Sequence, residues 1–230
     1  MREIFEQEGI RLTEDQERKF RKYLDFILAT PFNITSIKSP DLIVYRHFID
    51  SLKLTSFLDL TSFNLILDIG TGAGFPGIPL KIVSPHLSLT LLESSRKKVS
   101  FLNSLILALG IDDIKIVWAR AEDFGKIREN RELYDLVVIR ALAHLRILLE
   151  LSLPFLKVGG ILVAYKGKNV RDELKEAQNA LKILGGKLEK VQEYRIGGID
   201  FRGNLVFIRK ELPTSIKYPR RAGIPFKRPL

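Results

Sequence analysis

The chain has 230 residues, with 37 Lys or Arg against 27 Asp or Glu, and a formal net charge of +10. It contains no cysteine, which excludes a disulfide framework, a thiolate zinc site, an iron–sulfur cluster and a cysteine nucleophile. No window approaches the roughly 20 apolar residues of a membrane span, and the charged N-terminus lacks a secretory core. We therefore expect a cytoplasmic protein with no membrane partner. Its basic excess is typical of nucleic-acid binding, although a basic surface also serves solubility alone.

The first part of the chain, residues 1–62, predicts a small helical cap. Thr13 is placed to cap a helix whose apolar positions recur every three or four residues and which ends at residues 30–33. A second apolar stripe of similar spacing predicts a helix over residues 41–60.

The pattern changes at Leu65, where apolar strands begin to alternate with helices. The predicted strands are Leu65–Ile69, Ser88–Glu93, Ile114–Trp118, Tyr134–Ile139 and Ile161–Tyr165, followed by a closing antiparallel pair, Leu188–Ile196 and Asn204–Lys210. The predicted helices are Ser95–Leu109, His144–Leu156 and Val170–Leu184. Such alternation predicts an α/β domain over residues 63–212, built on a parallel sheet that is covered on both faces. Ligands of such sheets bind outside the carboxyl ends of the strands.

Residues 213–230 predict a basic arm, extended rather than helical. The last 14 residues carry five basic residues, three prolines and no acidic residue. The side chains expected to contact phosphates without reading sequence are Arg220, Arg221, Lys227 and Arg228. We expect truncation after Leu212 to weaken RNA binding and to spare cofactor binding.

The strongest local signal is the run Asp68-Ile-Gly70-Thr-Gly72-Ala-Gly74-Phe-Pro76-Gly77, directly after a predicted strand and before a predicted helix. Glycines there let backbone N–H groups approach a ligand closely. The spacing is not that of the dinucleotide motif, and Asp68 would repel a phosphate but suit a cationic amino-acid moiety. The alternative is a glycine-rich turn that binds no ligand.

Two further signals follow at strand ends. Glu93 is placed to accept hydrogen bonds from both hydroxyls of a ribose, which does not separate NAD from another adenosine cofactor. In Arg120-Ala121-Glu122-Asp123, an acid or a backbone group is placed to bond an adenine amino group. Asp123 could also serve as a helix N-cap.

Several motifs together resemble the small-subunit ribosomal RNA methyltransferase G family. They are LDIGTGAGFPGIPL, LLESSRKKVSFL, RAEDF, YDLVVIRALAHL, KGK, residues 33–52 and the C-terminal RRAGIPFKRPL. The chain departs from the family at Ala-Leu-Ala-His, residues 141–144, where Ala-Phe-Ala-Ser is expected. The resemblance implies a class I S-adenosylmethionine-dependent methyltransferase: a Rossmann-like, seven-stranded, mostly parallel sheet with an antiparallel closing strand. It implies methyl transfer to guanine N7 in 16S ribosomal RNA of the small subunit.

The resemblance also implies roles for individual residues. The cofactor-binding set is Gly70, Gly72 and Phe75 along the cofactor, Glu93, Ser94 and Ser95 at the ribose, Ala121 and Glu122 at the adenine, and Arg140 near the methionine end or the acceptor base. The candidates on the acceptor side are Arg46, His47, Arg140 and Lys166. Of these, Arg140, Lys166 and His47 are also catalytic candidates, although N7 carries a free lone pair and needs no strong general base. We expect no metal site and an unpaired or unstacked target base.

Other functions remain open at this point. They are methylation of another RNA base or of a small molecule, an NAD-dependent dehydrogenase, and a non-catalytic RNA-binding module. The G-x-G-x-G spacing disfavours the dehydrogenase, and the basic arm is unexplained by a small-molecule enzyme. We expect a monomer.

Overall fold

The protein is described by a computed structural model that covers residues 1–140 and 143–230. Residues 141 and 142, half of the departure from the family motif, lie outside the described residues. The strands within these ranges are β1 Leu65–Ile69, β2 Ser88–Glu93, β3 Ile114–Trp118, β4 Tyr134–Arg140, β5 Leu156–Lys166, β6 Gly186–Ile196 and β7 Phe201–Lys210. They form one sheet in the order β3-β2-β1-β4-β5-β7-β6, with β7 antiparallel to both of its neighbours. The predicted seven-stranded, mostly parallel sheet is therefore confirmed.

The predicted start of the fifth strand at Ile161 is wrong, because β5 begins at Leu156 and passes through Gly159 and Gly160. The register between β4 and β5 shifts between Tyr134 and Leu136. A Cβ atom at Gly160 would lie 2.9 Å from the carbonyl oxygen of Asp135. Gly160 thus marks a close backbone approach inside the strand. Gly159 has a φ of +88° and no atom near its Cβ position, so its conformation rather than packing favours glycine.

The helices alternate with the strands after an N-terminal helical group. They are α1 Arg2–Gln7, α2 Glu14–Leu28, α3 Pro40–Ile43, α4 Asp50–Leu52, α5 Gly77–Val83, α6 Arg96–Leu109, α7 Ala121–Phe124, α8 Leu145–Ser152, α9 Val170–Glu176, α10 Gln178–Leu184 and α11 Ile224–Lys227. Thr13 caps α2 through a capping box with Gln16, as its position predicts. The helix predicted over residues 41–60 is instead broken: a π-helical turn, Val44–Ile49, joins α3 to α4, and a 3₁₀ turn, Lys53–Ser56, follows. The helix predicted over Val170–Leu184 divides at Ala177.

Two apolar layers cover the two faces of the sheet. The N-terminal helices share one layer with the sheet, where Phe20 and Phe48 belong to the same core as Ile66. The other layer joins α8–α10 to the opposite face, on which Leu67 lies. Ile66 and Leu67 are neighbours in β1, so side chains alternate between the faces as expected for a strand buried on both sides.

The prediction of an extended C-terminal arm is wrong at Ile224–Lys227, which form one helical turn. Residues 213–230 fold back on the domain and bury Thr214, Pro219 and Pro225. The guanidinium of Arg131 donates to the carbonyl oxygens of Thr214 and Tyr218, which anchors the segment. Composition alone missed this packing because prolines and basic residues also characterise free tails.

Across the described residues, none of the helices combines the length and apolar character of a membrane crossing.

Candidate functional site

The glycine loop after β1 is organised by Asp68, which is fully buried. Its Oδ2 accepts hydrogen bonds from Oγ1 of Thr71 at 2.6 Å and from the backbone N–H of Gly77 at 2.8 Å. Its Oδ1 is buried and has no hydrogen-bond partner among residues 1–140 and 143–230. Burial raises the pKa of Asp68 to about 6, against the opposing effect of these two hydrogen bonds. At neutral pH a buried carboxylate that is largely ionised therefore lies beneath the loop, and the charge of Arg140 offsets it only in part.

The glycines of the loop serve different purposes. Gly74 has a φ of +101°, and a Cβ atom there would lie 2.5 Å from Cδ1 of Ile78 and 2.6 Å from the hydroxyl of Tyr23, so conformation and packing both favour glycine. Gly70 and Gly72 have φ angles of +67° and +62°, which disfavour any residue with a Cβ atom. At Gly72 the nearest atom to such a Cβ would lie 3.9 Å away. The backbone of Gly72 is therefore open to a close approach by a ligand.

Glu93 connects this loop to the next helix. Its Oε2 accepts from the backbone N–H of Gly72 at 3.0 Å, and its Oε1 accepts from the backbone N–H of Ser95, the N-cap of α6, at 2.8 Å. The residue is 5% exposed. Each carboxylate oxygen carries a second lone pair, so the group can still accept two ribose hydroxyls. Its backbone contacts add a structural role that its strand-end position did not reveal.

A pocket of about 100 Å³ lies at the carboxyl ends of β1 and β2 and beyond β3. Its lining includes Gly70, Ser94, Ala121 and Glu122, and also Phe226 from the C-terminal segment. These first four residues are ones that the family resemblance places at the cofactor. Phe226 belongs to the C-terminal motif, but sequence reasoning did not place it at the cofactor.

The alternative reading of Asp123 as a helix N-cap is wrong. Helix α7 begins at Ala121 with Arg120 as its N-cap residue, so Asp123 lies inside the helix. The neighbouring Glu122 is buried, and its Oε1 accepts from the backbone N–H of Gly223 at 3.0 Å. Its side chain therefore holds the C-terminal segment.

A second pocket, of about 320 Å³, brings together the four residues predicted on the acceptor side. They are Arg46, His47, Arg140 and Lys166. The glycine loop borders this group through Phe75, whose ring stacks on His47 at a centroid distance of 4.6 Å and lies 5.0 Å from the guanidinium of Arg140. Phe75 itself is buried, so its ring supports the acceptor pocket from inside the loop.

Arg140 fixes the arrangement of this pocket. It donates to Oδ2 of Asp50 at 3.0 Å, to the carbonyl oxygen of Arg46 at 3.2 Å, and to Nδ1 of His47 at 3.2 Å. Because a guanidinium only donates, Nδ1 of His47 must be unprotonated, and its Nε2–H faces Oγ1 of Thr35 at 2.7 Å. Burial, followed by the charges of Arg140 and Arg46, lowers the pKa of His47 to about 3. The ring is neutral at pH 7, with its basic nitrogen already occupied.

The other two basic residues differ in their freedom. Lys166 pairs with Glu173 at 2.6 Å and donates to the carbonyl oxygen of Ala143 at 2.8 Å. Arg46 is exposed and its guanidinium lies 3.8 Å from the ring centroid of Phe201. Within the described part of the chain, Arg46 makes no ion pair. It is therefore the cation of this pocket that is placed to meet a ligand.

Sequence reasoning missed other residues of the acceptor pocket, among them Asp50, Tyr194 and Phe201. Asp50 is buried and accepts from the hydroxyl of Tyr194 as well as from Arg140, and Phe201 carries the Arg46 stack. Asp50 follows Arg46 by four residues, a spacing that could have suggested a shared helix face. Tyr194 and Phe201 gave no comparable signal.

The basic residues of the C-terminal segment also differ. Arg220 donates through Nη2 to Oε2 of Glu150 at 2.6 Å, and Glu150 is 0% exposed. Its guanidinium is thus engaged within the chain, whereas Arg221, Lys227 and Arg228 are exposed. No group of three or more His, Asp or Glu side chains in the described ranges is placed to hold a metal ion.

Comparison with known proteins identifies the family. The model of the family described as GidB, rRNA small subunit methyltransferase G, matches residues 16–198. The ribosomal RNA small subunit methyltransferase G of Clostridium kluyveri is 43% identical over 224 residues, which cover 96% of this chain and 94% of that protein. That of Acetivibrio thermocellus is 44% identical over 224 residues, which cover 96% and 92%.

Solved structures share the fold at low identity. M. jannaschii TYW2 in complex with AdoMet matches with a TM-score of 0.55 and 17% identity, over 71% of this chain and 76% of that one. The methyltransferase bound to the Trm112 activator of Haloferax volcanii matches with a TM-score of 0.58 and 14% identity, over 76% and 94%.

These matches confirm the predicted class of enzyme, an S-adenosylmethionine-dependent methyltransferase of small-subunit ribosomal RNA. The chain belongs to the rRNA small subunit methyltransferase G family.

Proposed function

We propose that this protein transfers a methyl group from S-adenosylmethionine to N7 of a guanine in 16S ribosomal RNA, acting in the cytoplasm where that RNA is assembled. The observation that carries this proposal is the pocket formed by Arg46, His47, Arg140 and Lys166 against the glycine loop. It is basic, partly aromatic and adjacent to the loop at which the cofactor is expected.

The residues on the cofactor side fit the cofactor. S-adenosylmethionine supplies, when bound, a methyl group on a positively charged sulfur. The buried charge of Asp68 beneath the loop, whose Oδ1 has no partner among the described residues, favours a cationic ligand. The free lone pairs of Glu93 suit ribose hydroxyls. Ser94 and Ala121 line the neighbouring pocket of about 100 Å³, where we place the adenine.

The described residues of the acceptor pocket include no free base, which suits guanine N7. Nδ1 of His47 is occupied by Arg140, and its lowered pKa keeps the ring neutral and weakly basic. N7 carries a lone pair and no proton, so its methylation requires alignment rather than proton removal. Arg46 is exposed beside Phe201 and is placed to donate to guanine O6.

The three parts of the chain have separate roles in this proposal. Residues 1–62 supply the acceptor wall through Arg46 and His47, residues 63–212 carry the cofactor site, and residues 213–230 contact RNA phosphates through Arg221, Lys227 and Arg228. All of these groups come from one chain, which supports a monomer as the active form.

Methyl transfer to defined RNA substrates tests the proposal. Purified protein is incubated with methyl-labelled S-adenosylmethionine and free 16S RNA, isolated small subunits or intact ribosomes. Label is expected in one guanine of the small-subunit RNA, where reduction followed by aniline should cleave the chain, because N7-methylation weakens the glycosidic bond. Label on another atom, or incorporation without RNA, would refute it.

The cofactor side is tested separately with Glu93→Gln. The amide keeps one acceptor for a backbone N–H but loses charge-assisted bonds to the ribose, so donor affinity is expected to fall about 10-fold or more. Glu129→Gln, an exposed acid outside both pockets, is the control. Unchanged affinity of the Glu93 variant in calorimetry would remove this residue from the ribose site.

The acceptor side is tested with Arg46→Ala. We expect a raised KM for RNA, while donor affinity and thermal stability stay at the wild-type values because Arg46 is exposed. Arg18→Ala, which removes an exposed charge from α2, is the matched control. An unchanged KM for RNA would exclude Arg46 as a base contact.

A further inference from the structure

The C-terminal segment contributes an aromatic ring to the pocket beside the glycine loop. Phe226 lines the same cavity of about 100 Å³ as Gly70, Ser94 and Ala121. Phe226 is 48% exposed, so a ligand in this pocket would cover part of its ring. We propose that Phe226 forms the outer wall of the adenine subsite, so that residues 213–230 belong to the cofactor site as well as to the RNA-binding surface. This inference rests on the placement of the adenine proposed above.

The first support is the contact between the segment and α7. The buried carboxylate of Glu122 accepts the backbone N–H of Gly223, three residues before Phe226. Gly223 has a φ of +82°, a conformation that favours glycine and that turns the chain into α11. Helix α7 lines the adenine pocket through Ala121 and Glu122, and it therefore also fixes the helical turn that carries Phe226.

The second support is the ion pair between Arg220 and the buried Glu150, which anchors the segment to the domain. Glu150, on α8, accepts the backbone N–H of Arg220 at 2.8 Å and its Nε–H at 2.9 Å. Nη2 of Arg220 also donates to the carbonyl oxygen of Arg228 at 2.8 Å. Because Phe226 lies between Arg220 and Arg228 in the chain, this bond closes residues 220–228 into a short loop that carries the ring.

These contacts add a second role to Glu122. Its Oε1 accepts from the backbone of Gly223, while the carboxylate keeps lone pairs for the adenine amino group. The backbone groups of Ala121 and Glu122 are placed to bond the ring nitrogens, and the ring of Phe226 is placed to stack on the base. Stacking on an aromatic face suits an adenine because every base presents a π-face. The half-exposed ring becomes covered when an adenine occupies the pocket, which gives the exposure a physical purpose.

The proposal predicts a specific loss in Phe226→Ala. Affinity for S-adenosylmethionine and for S-adenosylhomocysteine is expected to fall about tenfold, in line with the loss of one base–aromatic stack. The KM for the donor should rise by the same factor, while kcat at saturating donor and the KM for RNA stay at the wild-type values. Phe226→Tyr, which keeps the ring, should restore the affinity.

The control is Ile216→Ala, which removes a 91% exposed apolar side chain from the same segment without touching the pocket. Thermal denaturation without ligand should give wild-type Tm values for Phe226→Ala and for Ile216→Ala. Unchanged donor affinity in Phe226→Ala overturns the inference. A lowered Tm, or a Phe226→Tyr variant as weak as the alanine variant, assigns the ring a structural role only and also overturns it.

Comparison with Glu93→Gln separates this inference from the proposed function. If Glu93→Gln lowers donor affinity and Phe226→Ala does not, the proposed cofactor site is supported and the role of Phe226 in it is refuted. If neither variant loses affinity, the placement of the cofactor itself is wrong. The earlier expectation that truncation after Leu212 spares cofactor binding is replaced by the opposite one.

Discussion

The buried charge of Asp68 is expected to lower the stability of the fold and to favour binding of the cationic cofactor. Asp68→Asn tests both effects. The side chain is fully buried, with two donors on Oδ2 and none from the described residues on Oδ1. The carbonyl oxygen of an asparagine can accept from Thr71 and Gly77 as Oδ2 does now. The substitution therefore removes the charge while keeping both hydrogen bonds.

The magnitude follows from the pKa of Asp68. Burial raises this pKa from 3.8 to about 6. At about 1.4 kcal/mol per pKa unit, the ionised form costs the folded protein about 3 kcal/mol. Since the folded-state pKa is the higher one, stability is fully present below pH 4 and is lost as the pH rises through 6. The asparagine variant lacks this loss.

Thermal denaturation between pH 4 and pH 8 measures the effect. At pH 8 the variant is expected to unfold about 6–12 °C above the wild type, since 1 kcal/mol shifts Tm by about 2–4 °C in a chain of this size. At pH 4 most of the difference should vanish. Asp112→Asn, an exposed carboxylate, should show neither behaviour.

The same substitution should weaken binding of the cationic donor. S-adenosylmethionine carries one more positive charge than S-adenosylhomocysteine, so calorimetry should show a larger loss for the donor than for the product. A variant that is less stable than the wild type at pH 8, or that loses affinity for both ligands equally, would refute this account of Asp68.

Three other perturbations probe the remaining parts of the structure. Arg220→Ala leaves the buried Glu150 without its guanidinium partner and should cost about 3–5 kcal/mol, seen as a Tm about 6–20 °C lower; an unchanged Tm would show that the segment is not anchored there. Asp50→Asn unpairs Arg140 and should lower single-turnover methyl transfer about 10- to 100-fold with less effect on RNA affinity, and an equal loss in both would contradict the assignment. His47, with its pKa near 3, should remain neutral in NMR titrations down to pH 4.5; since its folded-state pKa is depressed, its contribution to stability is lost as the pH falls from 6.5.

Much of the fold could be predicted because buried parallel strands are continuous apolar runs. β1, β2 and β3 fall on the predicted residues for this reason. The start of β5 could not be predicted, because a glycine pair usually ends a strand and only the position of Asp135 explains this one. The π-helical turn at Val44–Ile49 was equally hidden, since one extra residue per turn barely alters an apolar stripe.

The site was predictable in its residues but not in their partners. The sequence grouped Arg140 with the other acceptor-side candidates, which the structure brings into one pocket. Tyr194 lies 144 positions from Asp50, to which it donates, and Gly223 lies 101 positions from Glu122. One sequence carries no record of such distant pairs. They determine which charged groups are free to meet a ligand.

The pairing of charges in the acceptor pocket has a consequence for the reaction. Methyl transfer moves positive charge from sulfur onto the purine, and an unpaired buried cation about 6 Å away would oppose it by about 3 kcal/mol at an effective dielectric constant of 20. The two cations that are largely buried there, Arg140 and Lys166, pair with Asp50 at 3.0 Å and with Glu173 at 2.6 Å. Arg46 is exposed, so solvent screens it. The pocket can therefore hold an anionic RNA strand without placing net buried positive charge against the base that becomes cationic.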